Sequence, residues 1–534
     1  PIHQDIPEYI ELCRKGAYAS ALRLITEKNP LPFITGTICA HNCMTKCMRN
    51  YYDEPVNIRA TKLVAAEKGY DAYMSKITPP APVTDGRKVA VIGGGPTGMS
   101  AAYFVGRAGI PVTLFEKADR LGGIVRQVIP AFRISDEAID KDVALMEKMG
   151  VEVKLNTEAP SVAELKAQGY THIFFAVGAW KAGRLDIPGN VVPVIGWLRD
   201  MKAGKDVSLG HVAVVGGGNT AMDAARAALR AGAKSSTLVY RRTKKYMPAD
   251  AEELEMAIAD GVEFLELVAP VEQKDGKLIC EKMKLGDPDD KGRRKPVPTG
   301  EMVEIPCDTV VSAVGEKVES EVFTRNGITV DEKGIPAFKT NLEGVYAGDD
   351  AMRGPATVVE GIADAQYFAN AVIGEAHKFA IPAKAVATRE EAVAKKGVLC
   401  ESAKCEGNRC LTCNVVCQVC ADVCPNRANV VIELPDGRQQ ILHVDRMCNE
   451  CGNCAVFCPY DSAPYREKFT LFLTREGFDE SVNNQGFLPL GGKKVLVRLD
   501  SKVFEADLDA KNDLPADIEV FIWTVLTKYA YLMG

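Results

Sequence analysis

Eleven of the chain's 17 cysteines fall between Cys400 and Cys458, and their spacing points to metal rather than to disulfides. Cys448, Cys451, Cys454 and Cys458 follow C-x2-C-x2-C-x3-C with Pro459 behind the last, the arrangement by which thiolates grip an iron-sulfur cube. Cys413, Cys417, Cys420 and Cys424 repeat it with one inserted residue, again ending in Cys-Pro. A zinc ribbon is the plainer alternative, and two Cys-Pro endings on paired runs argue against it. Near the start, Cys39, Cys43 and Cys47 form C-x3-C-x3-C, which suits a cluster but is one thiolate short of a full set. Cys13 lies in an amphipathic stretch and reads as core; Cys400, Cys405 and Cys410 are left over.

Two glycine-rich turns carry a second chemistry. In KVAVIGGGPTGMSAAYFVGRAGIPVTLFEK an apolar run, Val89 to Ile92, turns at Gly93 and Gly95 into Pro96, Thr97 and Gly98, and a helix follows. That order is a dinucleotide fingerprint. Gly93 permits the turn, Gly95 lets the backbone approach a pyrophosphate at the helix N-terminus, and Gly98 lets helix and strand pack closely. The next strand ends on Glu116 and Lys117, an acid placed to accept from a ribose hydroxyl. HVAVVGGGNTAMDAARAALRAGAKSSTLVYRR repeats the pattern with Gly216, Gly218, Asn219 and Thr220, has Ala221 at the third glycine position, and ends its second strand on Arg241-Arg242. A carboxylate there repels a 2′-phosphate and a guanidinium binds it, so the second site should prefer NADP(H) over NAD(H). The contrast assigns FAD to the first turn.

The elements that must position these residues need several domains, because 534 residues exceed what one core accommodates. Sixty-five Lys and Arg against 71 Asp and Glu leave a net charge of −6 with no long basic block, which disfavours nucleic acid and anionic membranes as partners. No apolar run approaches the length of a membrane span and no secretory leader is visible, so the expected location is the cytoplasm. The chain opens on Pro1 rather than Met, and a segment upstream is expected.

Between and beyond the fingerprints stand Gly122-Gly123, the segment IPAFRIS, the turn Ala176-Val177-Gly178-Ala179, the stretch Met247-Pro248-Ala249 with Glu252, and GDDAMRGPATVVEGI from Gly348. In this order they resemble the glutamate synthase small subunit, a family shared with the flavin half of dihydropyrimidine dehydrogenase. The resemblance implies a helical iron-sulfur domain, then an FAD domain interrupted by an NADPH domain. It adds Gly122, Gly123, Gly178, Gly348, Asp350, Thr357 and Val358 to the FAD contacts and makes Cys39, Cys43 and Cys47 ligands, part of whose set would lie upstream of Pro1. Asp349 stands where relatives carry Gly, and Lys62 where they can supply a Gln or Glu ligand; an ammonium has no lone pair to give. The last cysteine runs resemble a bacterial ferredoxin pair. There the fourth Cys of each run crosses over, giving Cys413, Cys417, Cys420 and Cys458 to one 4Fe-4S centre and Cys448, Cys451, Cys454 and Cys424 to the other. The fuller match, including RCLTC, CPNRAN and CNECGNCAVFCP, is similar to iron-sulfur flavoproteins of the selenate reductase type.

The expected fold is therefore α/β with two Rossmann-like dinucleotide-binding domains. Its parts are a helical iron-sulfur domain (1–85, truncated), FAD domain (86–205 and 331–380), NADPH domain (206–330), linker (381–399), ferredoxin-like domain with two 4Fe-4S clusters (400–467) and partner-docking tail (468–534). A flavin joins two-electron to one-electron carriers, so this order implies a wire from NADPH to a partner redox protein or catalytic subunit in a larger complex. Cofactor positioning dominates such chemistry, and no acid-base residue is named. Two alternatives remain: a bifurcating ferredoxin:NADP oxidoreductase, and a scaffold whose clusters are structural.

Overall fold

The structure, a computed structural model, describes residues 2–533 other than 46, 52–53, 184, 208, 289–293, 375–402, 404–405, 408–409, 411–416, 459–461, 482–483, 500–501 and 511. Cys400, Cys405, Cys413, Pro459 and the 381–399 linker lie outside the described residues. Two units result: one takes Pro1–Asp5, Ala17–His41 and Arg59–Lys378, the other Ile6–Gly16, Asn42–Ile58 and Phe379–Gly534.

The first unit holds two five-stranded parallel sheets. One is ordered Val345–Ala347, His172–Phe175, Val89–Ile92, Val112–Phe115, Glu152–Lys154. Its central strands read VAVI, VTLF and HIFF without alternation because helices cover both faces. The helix Pro96–Arg107 starts where Gly95 is extended and Pro96 occupies the first turn, and it packs on the helix Val358–Ile373. The second sheet is ordered Val191–Pro193, Thr309–Ser312, His211–Val215, Ser235–Tyr240, Glu263–Glu266. A three-stranded antiparallel sheet, Val268–Lys274, Lys277–Pro288 and Arg294–Pro306, is inserted in the chain between Glu263–Glu266 and Thr309–Ser312.

The chain crosses between these sheets twice, and the crossings pair with each other: Lys181 opposite Lys317, Ala182 opposite Glu316. The expected boundaries at 205/206 and 330/331 therefore shift. Val191–Pro193 already belongs to the second sheet, and the helix Val194–Lys202 buries Trp197 and Leu198 against its helix Asn219–Arg230. On the return, Phe323 packs 5.6 Å from Phe175 in the core of the first sheet.

At the N-terminal end of this unit, Leu22 and Phe33 pack on Ala66. The helix Pro32–Ile38 has no cap of its own; the buried carboxylate of Asp142, from the helix Asp136–Glu147, accepts from Phe33 N (3.1 Å) and Ile34 N (2.8 Å).

The second unit carries one six-stranded mixed sheet, Asn429–Glu433, Gln439–Val444, Thr470–Leu471, Gly486–Gly491, Lys494–Leu499, Lys502–Asp507. The helix Ala516–Lys528 buries Phe521, Ile522 and Val525 against it. This sheet runs across the expected 467/468 boundary: Thr470 pairs with His443 on one side and Gly486 on the other, so the tail completes the sheet begun by the cysteine-rich segment. Among the described residues, no helix is long and apolar enough to cross a membrane.

Candidate cofactor sites

At the first fingerprint, glycine is required by contact as well as by conformation. A Cβ on Gly98 would lie 1.8 Å from Gly93 O, and one on Gly93, at φ +104°, 2.2 Å from Ala176 O. Gly123 faces Gly95 so closely that its Cβ would meet Gly95 Cα at 2.8 Å. Three turns, at 93–98, 122–123 and 176–178, thus converge, while a Cβ on Gly95 itself would meet nothing nearer than 3.9 Å. That open edge at the start of a 12-residue helix is a cradle suited to a pyrophosphate. Glu116 is buried at the strand end; its Oε2 accepts from Gly94 N (2.6 Å) and its Oε1 from Ala118 N (2.7 Å), which aims the carboxylate along the turn. Lys117 is exposed beside it.

Gly348 and the two aspartates close the same site from the far strand. Thr97 Oγ1 donates to Asp349 Oδ1 (3.0 Å), Asp349 N donates to Asp364, and the Asp350 carboxylate accepts from Ala356 N (2.9 Å). Asp349 sits at φ +72°, ψ −171°, a region that is essentially glycine's, which agrees with the Gly that the resemblance puts at this position. Asp350, the expected flavin contact, also pins the loop ahead of the helix Val358–Ile373, and Asp349 is the carboxylate that reaches the fingerprint helix. Burial raises both, and the Asp349 charge adds to burial at Asp350, which is pushed up to about 8; at Asp349 the nearby Asp364 charge adds to burial. Thr357 caps that helix by accepting from Glu360 N, with Val358 its first residue.

The second fingerprint has the same construction. A Cβ on Gly216 would meet Ala313 O at 2.3 Å and one on Gly217 the Tyr240 ring at 2.4 Å, whereas Gly218 faces open space. Asn219, which opens the following helix, accepts from Asp250 N (3.0 Å), Ala249 N donates to Gly217 O (3.0 Å), and Thr220 is half-buried beside them. At the strand end Arg241 is exposed, and Arg242 carries a buried Nε with no partner among the described residues. A guanidinium nitrogen left unpaired there is suited to a phosphate oxygen.

Arg133, of IPAFRIS, went unnoticed in the sequence. It donates to Asp223 (2.7 Å) and to both oxygens of Glu253, tying the first dinucleotide domain to two helices of the second. IPAFRIS was singled out as a segment without a role for its arginine, and an acidic pair, Glu252-Glu253, opens the helix Ala251–Ala259. Burial pushes the Asp223 carboxyl up to about 6 against the pull of Arg133. A raised carboxylate contributes stability below its unfolded pKa and loses it as pH climbs through the folded one. Chemical denaturation of wild type and Asp223→Asn should therefore diverge between about pH 4 and 6, the variant gaining on the order of 3 kcal/mol relative to wild type by pH 7; parallel profiles would refute the assignment.

In the second unit Cys424, Cys448, Cys451 and Cys454 line one hollow with Asn429, His443 and Tyr465. Ala428 N donates to Cys424 Sγ (3.2 Å) and Glu450 N to Cys448 Sγ (3.3 Å), the kind of N–H···S contact that tunes an iron-sulfur centre. This is the expected second ligand set, and its four sulfurs with donors aimed at two of them fit a cluster. Cys420 packs with Cys454 around Ile441; Cys417 and Cys458 are half-buried. Among the described residues no three cysteines, histidines or carboxylates are grouped to hold a single ion. The sulfurs around a cube stand farther apart than the ligands of one ion. Cys39 follows the helix Pro32–Ile38 in the first unit, its carbonyl accepting from Arg59 (3.2 Å); Cys43, in the helix Asn42–Thr45, and Cys47 belong to the second. Lys62 is buried, its charge partly offsetting burial at Asp142.

Residues 87–365 match the family described as pyridine nucleotide-disulphide oxidoreductase, and residues 1–72 match dihydropyrimidine dehydrogenase domain II, 4Fe-4S cluster. The chain belongs to the pyridine nucleotide-disulphide oxidoreductases. Within them it is kin to the glutamate synthase [NADPH] small chain of Escherichia coli (strain K12), at 30% identity over 70% of this chain and 86% of that one. It is similar over its whole length to a protein of the same bacterium named "Putative oxidoreductase YgfK", at 41% identity over 55% of that protein. The NADP(+)-dependent formate dehydrogenase subunit beta of Moorella thermoacetica shares 36% identity over 68% of this chain and 57% of its own length. The chain thus spans little more than half of the first two curated relatives it matches. With the class goes the chemistry: it is an oxidoreductase that combines FAD and a nicotinamide dinucleotide with iron-sulfur.

Proposed function

We propose that the chain is the NADPH-linked electron-transfer subunit of a cytoplasmic multi-subunit oxidoreductase, passing electrons between NADPH and a partner redox subunit. The observation that carries this is the contrast between two like-built turns: Glu116, held by Gly94 N and Ala118 N, at one strand end, and Arg241 with the unpaired Arg242 Nε at the other. FAD, when bound, exchanges electrons in pairs with a nicotinamide and singly with iron-sulfur centres. The chain's own part is to seat each group: the Gly95 edge for the flavin pyrophosphate, Gly218 and the two arginines for NADPH, and the Cys424–Cys454 hollow for one of two C-terminal clusters. Three relatives whose names carry a subunit, a small chain or NADP support the reading. Selenate is the acceptor that the resemblance suggests, reached through the partner.

The test is anaerobic. FAD-loaded protein should bleach at the flavin absorbance within seconds of adding NADPH and far more slowly with NADH. Equal rates with both would overturn the NADPH assignment, and no bleaching with either would overturn the electron-transfer reading in favour of a scaffold.

A further inference from the structure

The helix Ala251–Ala259 opens on two adjacent acids that reach different neighbours. Glu253 is buried and grips Arg133 of the first dinucleotide domain (Oε1, 2.6 Å). Glu252 reaches His41 Nε2 (2.8 Å) and Arg59 Nη2 (3.3 Å), and Arg59 Nη1 in turn donates to the Cys39 carbonyl (3.2 Å). The residues just before this helix are fastened to the second dinucleotide turn, Ala249 N on Gly217 O and Asp250 N on Asn219 Oδ1, both at 3.0 Å. One short rigid element therefore touches the turn at its start, the flavin-side domain through one carboxylate, and the first cysteine of the N-terminal loop through the other.

We propose that Glu252 is a positioning residue through which nucleotide seated on the second turn orders the segment that carries Cys39. Residues 249 and 250 hydrogen-bond to the atoms of a turn that a dinucleotide stiffens, and stiffening at the start of a helix is felt by both acids of its first turn. Among the described residues neither acid's side chain hydrogen-bonds to the dinucleotide turn. Coupling through Glu252 is modest, since nearly half of its side chain is exposed (45%) and ion pairs in water are weak. It rests on the reading that residues 216–219 seat NADP(H), and it adds a thermodynamic link between that seat and the N-terminal loop.

Hydrogen exchange on the full-length holoprotein, with NADP+ at saturation, tests it. In wild type, NADP+ should slow exchange in residues 36–41 and in residues 124–134. Glu252→Ala should abolish the first protection and keep the second, and Arg59→Ala should do the same; NADP+ affinity should fall on the order of fivefold in each. If NADP+ binds wild type but leaves 36–41 unchanged, or if Glu252→Ala retains that protection, the inference fails while the function proposed above stands. If a direct titration finds no NADP+ binding to wild type, both fail.

Discussion

Replacing Cys454 by serine should remove about four irons per chain and end electron transfer to a one-electron dye, while NADPH still bleaches the flavin. Cys454 is buried in the hollow it shares with Cys424, Cys448 and Cys451, so a serine oxygen there would be a poor substitute for a thiolate among three sulfurs. The effect on turnover should be near-total because the centre is a link in a series. Cys280→Ala is the matched control: that thiol is also fully buried, beside Cys307, but burial pushes it up to about 12, where it stays protonated and holds nothing. Iron analysis with electron paramagnetic resonance of the dithionite-reduced protein reads the result. Unchanged iron in Cys454→Ser would refute the crossed ligand set. The same measurement on wild type counts the C-terminal clusters, two of which the cysteine runs call for.

Arg241→Ala with Arg242→Ala should raise the KM for NADPH by roughly 30-fold to a few thousand-fold, the range that follows when truncating a paired, desolvated charge costs about 2–5 kcal/mol. The KM for NADH should barely move, since no 2′-phosphate is present to lose its partner. Arg242 should carry the larger share. Its Nε is already out of water and unpaired, so only the phosphate has to be desolvated to gain that contact, whereas Arg241 stands in solvent. Steady-state kinetics of both single variants and the double variant with each nucleotide decides it. Equal losses for NADPH and NADH would mean that the arginines hold the fold rather than the phosphate.

These expectations rest on features of different visibility. The fingerprints were legible because their requirements are local: Gly93, Gly98, Gly216 and Gly123 stand where a single added carbon would strike backbone within 3 Å, so the residue type announces the geometry. The second cysteine run is local in the same way, since its C-x2-C-x2-C-x3-C spacing is one that an iron-sulfur cluster sets. The domain boundaries expected at 205/206 and 330/331 were not legible. They depend on Val191–Pro193 pairing with Thr309–Ser312 and on the paired crossings Lys181–Ala182 and Glu316–Lys317, contacts more than a hundred residues apart in sequence. Asp349 and Asp350 show what a motif leaves open: counting along the chain puts Asp350 on the flavin, and the fold adds that Asp349, at φ +72°, meets Thr97 while Asp350 accepts from Ala356 N.

By itself, the amino-acid order determined which chemistry the chain can support: two phosphate-cradling turns with opposite charges at their strand ends, and thiolates at iron-sulfur spacing. These follow from residue types within some thirty positions of one another, where steric and ligand geometry leave few choices. Tertiary structure alone decided how those parts are held together. It drew Cys424 to the run at 448–454, joined the tail to the cysteine-rich sheet, clamped Arg133 onto Asp223 and Glu253, and set Glu252 between the second dinucleotide turn and Cys39. Each is a long-range pairing of groups whose partners differ in no local property from dozens of other exposed or buried residues, so only the folded chain selects them.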